Sequence, residues 1–347
     1  MKVLVTGHLG FIGSVMTRIL QERGHETVGL DTGYFTDCHI VDELHPPVRE
    51  IHRDIRAVEK KDLEGIEAIV HLAALSNDPM GEFDPELTRS INFLGTTDLA
   101  EKAREAGVCR FLFASSCSMY GAADTDSALD ETAAFNPVSA YAVSKVEAEG
   151  KLTTLADDHF SPVFLRNATA YGFSPRPRLG TLVLNNLVGW AVTTGKILIK
   201  SDGTPWRPLV HVEDICGACA AALEAPRETV HNEAFNIGLD SENYQVRDIA
   251  NIVKEVVPGC EVEITGEVQA DQRSYRVDFK KVREQLPGFQ PKWDAKKGVE
   301  QMYLFMRDAG LTFEQFHDRR YTRLEQLKYL IDNGQIDTDL RWIEEGK

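Results

Sequence analysis

Tyr141 and Lys145 are the residues of this sequence whose types and spacing most directly indicate chemistry. They lie four positions apart in the stretch YAVSKVEAE, which runs from Tyr141 to Glu149. Residues at that spacing share one face of a helix, so the lysine ammonium can stabilise a phenolate and lower a phenol pKa that is ordinarily about 10. The pair predicts a general base, but the same spacing is also typical of a solvated helix surface.

Hydroxyl side chains precede this pair in the stretch ASSCSMYG, which begins at Ala114. They follow an apolar segment typical of a strand, so we expect them at the carboxyl edge of a sheet. Ligands of open α/β sheets bind at that edge. The hydroxyls, the tyrosine–lysine pair and a glycine-rich turn near the start of the chain are three independent features that indicate one site.

The glycine-rich turn, TGHLGFIGS, places Gly7, Gly10 and Gly13 between the first predicted strand and the first predicted helix. Backbone at such a turn can approach a pyrophosphate at the N-terminus of the helix. Asp31 ends the second predicted strand, where a carboxylate accepts hydrogen bonds from ribose hydroxyls and repels a 2′-phosphate. The pattern favours NAD over NADP, and its alternative is an ordinary strand-to-helix turn.

Strand-like and helix-like segments alternate through the first half of the chain. KVLVTG, ETVGLD, AIVHLAA and RFLFASS have the composition of strands, and residues 12–23 and 91–107 have helical periodicity. This alternation predicts right-handed crossovers and a doubly wound parallel sheet of the α/β class. After about residue 165, loops that contain proline and arginine predict a smaller mixed α/β lobe over the carboxyl edge of the sheet.

These patterns divide the chain into three predicted parts. We expect residues 1–165 with about 209–240 to form a dinucleotide-binding domain, and residues 166–208 with 241–300 to form a substrate-binding lobe. Residues 301–347 are charged and helical in pattern, and we expect them to make packing or oligomer contacts.

Composition limits the classes of partner. The formal net charge is −16, so the average surface repels nucleic acids and anionic membranes. Any phosphate that the protein binds therefore needs a local group of hydrogen-bond donors or positive charges. No signal-peptide pattern and no run of eighteen apolar residues is visible, and we expect a cytoplasmic protein. Six scattered cysteines fit a reducing compartment, and the single CxxC, Cys216 to Cys219, is more typical of a buried helix face than of a metal site. We predict no metal.

The order of these motifs resembles the extended short-chain dehydrogenase/reductases, specifically their nucleotide-sugar epimerase and dehydratase branch, which includes enzymes similar to UDP-glucose 4-epimerase. The resemblance runs from Lys2 to about residue 300 and is carried by VTGHLGFIGS, Asp31, HLAA, INFLGT, SSCSMYG, YAVSK, SDGTPWRPLVHVED and DQRSYRVDF. It implies a Rossmann domain, NAD as the cofactor and a nucleoside-diphosphate sugar as the substrate. The residues it assigns to the cofactor are Gly7, Gly10, Phe11, Ile12, Gly13, Asp31, Asp54, Ile55, Leu72, Ala73, Ala74, Asn92, Tyr141 and Lys145.

The same resemblance assigns catalytic roles to three residues. Tyr141 would take a proton from a sugar hydroxyl, Lys145 would hold the nicotinamide ribose and tune Tyr141, and Ser116 would hydrogen-bond the reacting oxygen. The residues assigned to the substrate are Ser116, Thr169, Asn186, Arg207 and Arg273. Thr169 is a departure, because the family has an asparagine at this place.

The predicted reaction is epimerisation at C4 through a transient 4-keto intermediate. Dehydratases of this branch carry an acidic pair where this chain has Cys117 and Ser118, so 4,6-dehydration is disfavoured. Cys117 leaves a 3,5-type epimerase open, although it lies three residues before Tyr120, whereas the family's acid/base cysteine lies two before. A 4-ketoreductase is the other enzymatic alternative, and a non-enzymatic NAD sensor is the least favoured. We expect a homodimer, and we expect His71 and His211 to have structural roles. The sequence does not identify the nucleotide or the sugar of the substrate.

Overall fold

The computed structural model describes residues 1–40, 48–76, 78–122, 127–266 and 273–343. The first two residues of the motif DQRSYRVDF and the last four residues of the predicted C-terminal extension lie outside the described residues. The strands are β1 (Lys2–Thr6), β2 (Glu26–Asp31), β3 (Arg49–His52), β4 (Ala68–His71), β5 (Arg110–Ser116), β6 (Ser161–Asn167), β7 (Thr169–Tyr171), β8 (Lys196–Ile199), β9 (Trp206–His211), β10 (Ala234–Ile237), β11 (Asn243–Gln245) and β12 (Glu261–Ile264). The α-helices are α1 (Phe11–Glu22), α2 (Asp78–Gly81), α3 (Pro85–Arg89), α4 (Thr96–Glu105), α5 (Ala140–Thr153), α6 (Val183–Thr194), α7 (Val212–Glu224), α8 (Arg227–Val230), α9 (Val246–Val256), α10 (Lys280–Gln285), α11 (Ala295–Asp308), α12 (Phe313–Phe316) and α13 (Arg323–Asp332).

The main sheet has seven strands in the order β10-β6-β5-β4-β1-β2-β3. Neighbouring strands in it are parallel, so the prediction of a doubly wound parallel sheet is confirmed. The strand order reverses at β1, which has β2 on one side and β4 on the other. In such sheets the crevice at the reversal, beyond the carboxyl ends of the strands, is the ligand-binding position.

Both faces of the main sheet are covered, as the apolar composition of its strands requires. In β5, Phe111 and Phe113 face one hydrophobic core, whereas Leu112 faces the other. Helices α1 and α7 complete the core on the Leu112 side, and α4 and α5 complete the core on the phenylalanine side. This packing fixes α5, which carries Tyr141 and Lys145, beside the carboxyl end of β5.

A second lobe contains two small sheets, β11-β9-β7 and β12-β8. A third hydrophobic core joins them to helices α6, α9 and α11. Strand β7 follows β6 after a single residue, so the second lobe begins directly at the carboxyl edge of the main sheet. Among the described helices, none combines the length and the apolar composition that crossing a bilayer requires.

The C-terminal extension contacts both lobes. Leu311 and Phe316 belong to the core of the second lobe, whereas Leu327, Leu330 and Leu340 belong to the core on one face of the main sheet. Helices α12 and α13 form where the segment LTFEQFHDRRYTRLEQLKYLIDNG predicts helical structure. The chain therefore passes from one lobe to the other along the boundary between them.

Predicted element boundaries differ from the structure in one informative place. The periodicity over residues 91–107 predicts one helix, but the structure has a π-helical turn at Ser90–Gly95 before α4. Asn92 lies in this turn, where its side chain is buried and hydrogen-bonds the backbone of Leu75. Turns of this type are frequent at functional sites.

A buried ion pair attaches α5 to β6. Arg166 of β6 and Glu149 of α5 are each 7% exposed, and Nη2 of the arginine lies 2.8 Å from the carboxylate Oε2. We expect Glu149→Ala to lower the free energy of unfolding by about 3–5 kcal/mol, because it leaves a buried guanidinium without its counterion.

Chemical denaturation of both variants and the wild type checks this expectation. The control is Glu147→Ala, on the same helix, whose partner Arg89 is 44% exposed. This pair contributes at most about 1 kcal/mol. Equal losses in the two variants would contradict the anchoring role of Glu149.

Candidate active site

A cavity of about 520 Å³ opens between the carboxyl edge of the main sheet and the second lobe. Its volume lies in the range that small-molecule sites occupy. The predicted site residues that line it are Gly7, Gly10, Phe11, Ile12, Gly13, Asp31, Asp54, Ile55, Leu72, Ala73, Ala74, Ser116, Tyr141, Lys145, Thr169, Asn186, Arg207 and Arg273.

Asn92 is the predicted cofactor residue that the structure does not place in the cavity wall. Its carboxamide oxygen accepts from Leu75 N at 2.8 Å, and its nitrogen donates to Leu75 O at 3.1 Å and to Ser144 Oγ at 3.3 Å. Asn92 therefore connects the segment after β4 to helix α5, and it lies behind the residues that line the cavity.

The glycine turn brings backbone close to backbone. Gly7 has a φ of +74°, and a Cβ atom there would lie 2.9 Å from Ala73 N, while a Cβ at Gly13 would lie 2.1 Å from Gly7 O. Within the described residues, no side chain caps the N-terminus of α1. A compact turn that leads into uncapped helical N–H groups fits a dinucleotide diphosphate.

Asp31 lies at the carboxyl end of β2 with its side chain largely buried. One carboxylate oxygen accepts from Leu9 N at 3.1 Å, and the other accepts from Gly33 N at 2.9 Å. These bonds fix the orientation of the carboxylate, and each oxygen retains a lone pair for a further donor. The geometry suits two ribose hydroxyls.

Asp54 and Ile55 form the wall next to Asp31, but the carboxylate of Asp54 is already engaged. It forms a bidentate pair with Arg56, and its Oδ2 lies 3.1 Å from Nη1 of Arg341. It also accepts from the backbone N–H of Arg56 at 2.8 Å. Asp54 therefore shapes this part of the wall through the turn that it stabilises.

Lys145 is almost completely buried, and α5 begins with Ser139 as its N-cap. The Lys145 ammonium donates to Ala114 O at 2.7 Å, and it lies 4.5 Å from the ring centroid of Phe113 and 5.6 Å from that of Tyr141. Desolvation lowers the pKa of Lys145 to about 7, and the negative charge of Glu149 partly opposes this shift. Below about pH 7 the group is therefore an ammonium, which is the form that can stabilise a phenolate at Tyr141.

Ser116 ends β5, and its hydroxyl accepts from Ser118 N at 3.1 Å. This bond orients the hydroxyl at the carboxyl edge, and Ser116, Tyr141 and Lys145 line the same cavity. A hydroxyl, a phenol and an ammonium together can hold a substrate oxygen and exchange a proton with it.

The second lobe contributes two cations. Arg207 of β9 donates to the carbonyl oxygens of Trp206 and Arg273, so the two arginines are neighbours. Both line the cavity, as does Asn186 of α6. Arginine suits the geometry of phosphate oxygens, so this end of the cavity fits a diphosphate in spite of the acidic average of the chain.

The buried histidines and Cys117 have structural environments. His71 lies between Thr6 Oγ1 at 2.7 Å and Thr96 Oγ1 at 2.8 Å, and burial lowers its pKa to about 3. The ring of His211 stacks on Trp293, and burial lowers its pKa to about 4. The thiol of Cys117 donates to a backbone carbonyl, and burial raises its pKa well above the ordinary value. Among the described residues, no cluster of histidine, cysteine and acidic side chains is arranged to hold a metal ion.

Some residues of the cavity wall are absent from the predicted set, among them Arg178 and Arg323. Arg178 lies in YGFSPRPRLG, a segment whose arginines have no local pattern that relates them to a site. Arg323 lies in the C-terminal extension, and nothing in its local sequence relates it to the glycine turn.

Comparison with known proteins places the chain among nucleotide-sugar enzymes. The model of the family described as "NAD dependent epimerase/dehydratase family" matches residues 3–238. A UDP-glucose 4-epimerase from Mycolicibacterium smegmatis is 30% identical over 329 residues, which cover 89% of this chain and 100% of that protein. The structure of MoeE5 in complex with UDP-glucuronic acid and NAD aligns with a TM-score of 0.77 at 27% identity, over 89% of this chain and 100% of that one. A UDP-glucuronic acid 4-epimerase from Bacillus cereus, in complex with UDP-glucuronic acid and NAD, has a TM-score of 0.75 at 25% identity and covers 89% and 99% of the two chains.

The ribose role of Asp31 predicts a change in cofactor preference. We expect Asp31→Ala to weaken NAD binding by about 10- to 100-fold, the usual effect of losing hydrogen bonds to a charged group, and to weaken NADP binding less. Titration calorimetry with both dinucleotides checks this, with Asp98→Ala on the exposed surface of α4 as the control. Equal weakening of NAD binding and NADP binding would mean that the substitution loosens the turn in general. That result would contradict the ribose role of Asp31.

The burial of Lys145 predicts a dependence of stability on pH. An unfolded lysine titrates near 10.5, whereas the folded one titrates at about 7. Between these values the unfolded chain carries a proton that the folded chain lacks, so this group makes the free energy of unfolding rise with pH.

Lys145→Met removes this contribution. We expect the variant to have a higher free energy of unfolding than the wild type at about pH 7. This difference should shrink steadily as the pH rises to about 10. Denaturation at several pH values checks this, and Lys151→Met is the control because Lys151 is 42% exposed on the same helix. A difference between Lys145→Met and wild type that does not vary with pH would contradict the low pKa.

Proposed function

We propose, from the premise that this chain belongs to the NAD dependent epimerase/dehydratase family, that it epimerises a nucleoside-diphosphate sugar at C4 through a transient 4-keto intermediate. It is an enzyme of the nucleotide-sugar epimerase branch of the short-chain dehydrogenase/reductases, and its cofactor is NAD. The observation that carries the proposal is that Ser116, Tyr141 and Lys145 share one cavity with the glycine turn and with the arginines of the second lobe.

Three side chains perform the proton chemistry in this proposal. NAD, which the glycine turn and Asp31 would hold, would supply the oxidising power of the reaction. Tyr141 takes the proton of the C4 hydroxyl and later gives it back, while the Lys145 ammonium favours the phenolate form. Ser116 donates a hydrogen bond to the same oxygen and keeps it directed at Tyr141.

The second lobe positions the substrate. Arg207 and Arg273 bind the diphosphate of the nucleotide, and Asn186 and Thr169 contact the sugar side from α6 and β7. Inversion at C4 requires that the 4-keto sugar rotate and present its other face, so the diphosphate serves as the fixed point about which the sugar turns.

The distribution of carboxylates supports epimerisation over dehydration. Among the described residues of the cavity wall, the carboxylates are Asp31 and Asp54, and both lie where the adenosine half of the cofactor is expected. Removal of a sugar hydroxyl as water needs an acid near the reacting carbons. Ser118 is a weak acid, and the thiol of Cys117 is buried and hydrogen-bonded to Arg166 O.

The names of two of the reported relatives support an epimerase. UDP-glucose is the substrate in the name of the mycobacterial enzyme, and UDP-glucuronic acid is the substrate in that of the Bacillus enzyme. Both names specify epimerisation at C4. We further propose that the enzyme acts in the cytoplasm as a homodimer, with residues 1–165 and about 209–240 as its NAD-binding domain.

Tyr141→Phe tests the proton transfer. We expect the variant to retain its bound NAD and to lose about 10²- to 10⁴-fold in turnover, the usual contribution of a general base. A panel of nucleotide sugars, screened by NMR for the C4 epimer without added cofactor, measures turnover of both proteins.

The same screen distinguishes the competing reactions. A net 4-ketoreductase consumes cofactor in proportion to product, and a dehydratase forms a deoxy-keto sugar, so either product pattern would contradict the proposal. Turnover of Tyr141→Phe near the wild-type rate would contradict the role of the phenol.

A further inference from the structure

Two buried arginines in the cavity wall, Arg178 and Arg323, are not explained by the reaction. Their exposed fractions are 7% and 3%. Arg178 donates to the hydroxyls of Ser76 and Thr181, each at 3.1 Å, and its Nε has no hydrogen-bond partner among the described residues. Arg323 donates to the carbonyl oxygens of Arg320 and Arg176, at 3.3 and 3.1 Å.

Neither guanidinium forms an ion pair with a carboxylate in the described part of the chain. Burial, together with the positive charge of Arg323, lowers the pKa of Arg178 to about 10. Two buried cations that repel each other are costly unless an anion completes the arrangement. The wall of the cavity is therefore electrostatically suited to a negatively charged ligand at this point.

The two arginines interact with residues at the predicted positions of the two riboses. Arg178 hydrogen-bonds Ser76, just beyond the wall segment 72–74, and interacts electrostatically with Tyr141. Arg323 interacts electrostatically with Asp31, at the predicted position of the other ribose. In an extended dinucleotide with its riboses at Tyr141 and Asp31, the diphosphate lies between them.

The loop that carries Arg178 also crosses the start of helix α1. Ser174 donates to Phe11 O at 2.7 Å, and its hydroxyl lies 3.0 Å from that of Ser14. The loop is thereby fastened to the first turn of α1. The N–H groups of that turn and the guanidinium of Arg178 consequently approach the same region from two sides.

The C-terminal segment that carries Arg323 is fastened to the cofactor side of the main sheet. Gln326 Nε2 donates to Tyr34 O at 3.1 Å, Trp342 Nε1 donates to Thr32 O at 2.6 Å, and the hydroxyl of Tyr34 donates to the carbonyl of Leu340. Thr32 directly follows Asp31, and Tyr34 lies two residues further along the chain. The segment therefore braces the loop that follows the carboxylate of Asp31.

We infer that residues 323–342 are part of the cofactor site, with Arg323 and Arg178 binding the diphosphate of NAD and the brace to the loop after Asp31 retaining the dinucleotide between turnovers. This inference goes beyond the proposed function, because it concerns how the cofactor is kept and not which sugar is converted. An epimerase restores its cofactor in every cycle, so retention has a direct use in such an enzyme.

Binding of ADP and of adenosine isolates the contact to the diphosphate. Full-length protein is freed of nucleotide, checked by circular dichroism and titrated with each ligand. We expect Arg323→Gln and Arg178→Gln to weaken ADP binding by about 10- to 100-fold each and to leave adenosine binding unchanged within about twofold. Arg178→Lys keeps the charge and should lose less than Arg178→Gln.

The matched control is Arg320→Gln, just before this segment, because the Arg320 side chain is 39% exposed and pairs with Asp318. It should bind ADP like the wild type. Trp342→Phe, at a half-exposed position, removes the indole hydrogen bond to Thr32 and should release NAD from the purified holoenzyme about 2- to 10-fold faster.

Three outcomes would overturn the inference. Equal losses for ADP and adenosine would mean that the arginines act through the fold, and unchanged ADP binding would mean that they face another group. Weaker binding of the nucleotide sugar with unchanged ADP binding would assign Arg178 to an anionic group of the substrate. The ADP and adenosine titrations contain no nucleotide sugar. Their result therefore tests the inference even if the enzyme catalyses another reaction of its family.

Discussion

The burial of one ammonium group, that of Lys145, is the constraint on which the site depends. The group is held by the carbonyl of Ala114 at 2.7 Å and lies beneath the ring of Tyr141, with the carboxylate of Glu149 one helical turn further along α5. A cation in this position is costly without compensation, and its benefit is that it favours the ionised form of the phenol beside it. Helix α5 must be fixed against β5 and β6 for this contact to persist, and the buried pair of Glu149 and Arg166 contributes to that fixation.

The parallel sheet explains why distant parts of the chain meet at this point. The glycine turn follows β1, Asp31 ends β2, the wall segment 72–74 follows β4, and Ser116 ends β5. Because all of these strands point the same way, their carboxyl ends form one edge. The second lobe begins at this edge with β7 and adds arginines to the cavity wall, so an acidic protein obtains a local group of cations at this edge.

The sequence predicts those parts of the site whose signal is local. The glycine spacing, the aspartate at the end of β2 and the tyrosine–lysine pair are each contained in a short segment, and the structure brings them into one cavity. Arg178 and Arg323 were not predicted, because their position depends on how a loop and a C-terminal helix pack against the first lobe. Asn92 lies behind the wall for a similar reason, since a π-helical turn that periodicity did not predict directs its side chain to Leu75.

Epimerisation at C4 through a 4-keto intermediate requires that hydrogen leave the sugar carbon and return to it without exchange with water. The most direct measurement is the conversion of the identified nucleotide sugar in D₂O, with the product examined by NMR and mass spectrometry. The account predicts a C4 epimer that carries no deuterium on the inverted carbon. One solvent deuterium on that carbon in each product molecule would contradict it, because the configuration would then have been inverted by removal and return of a proton.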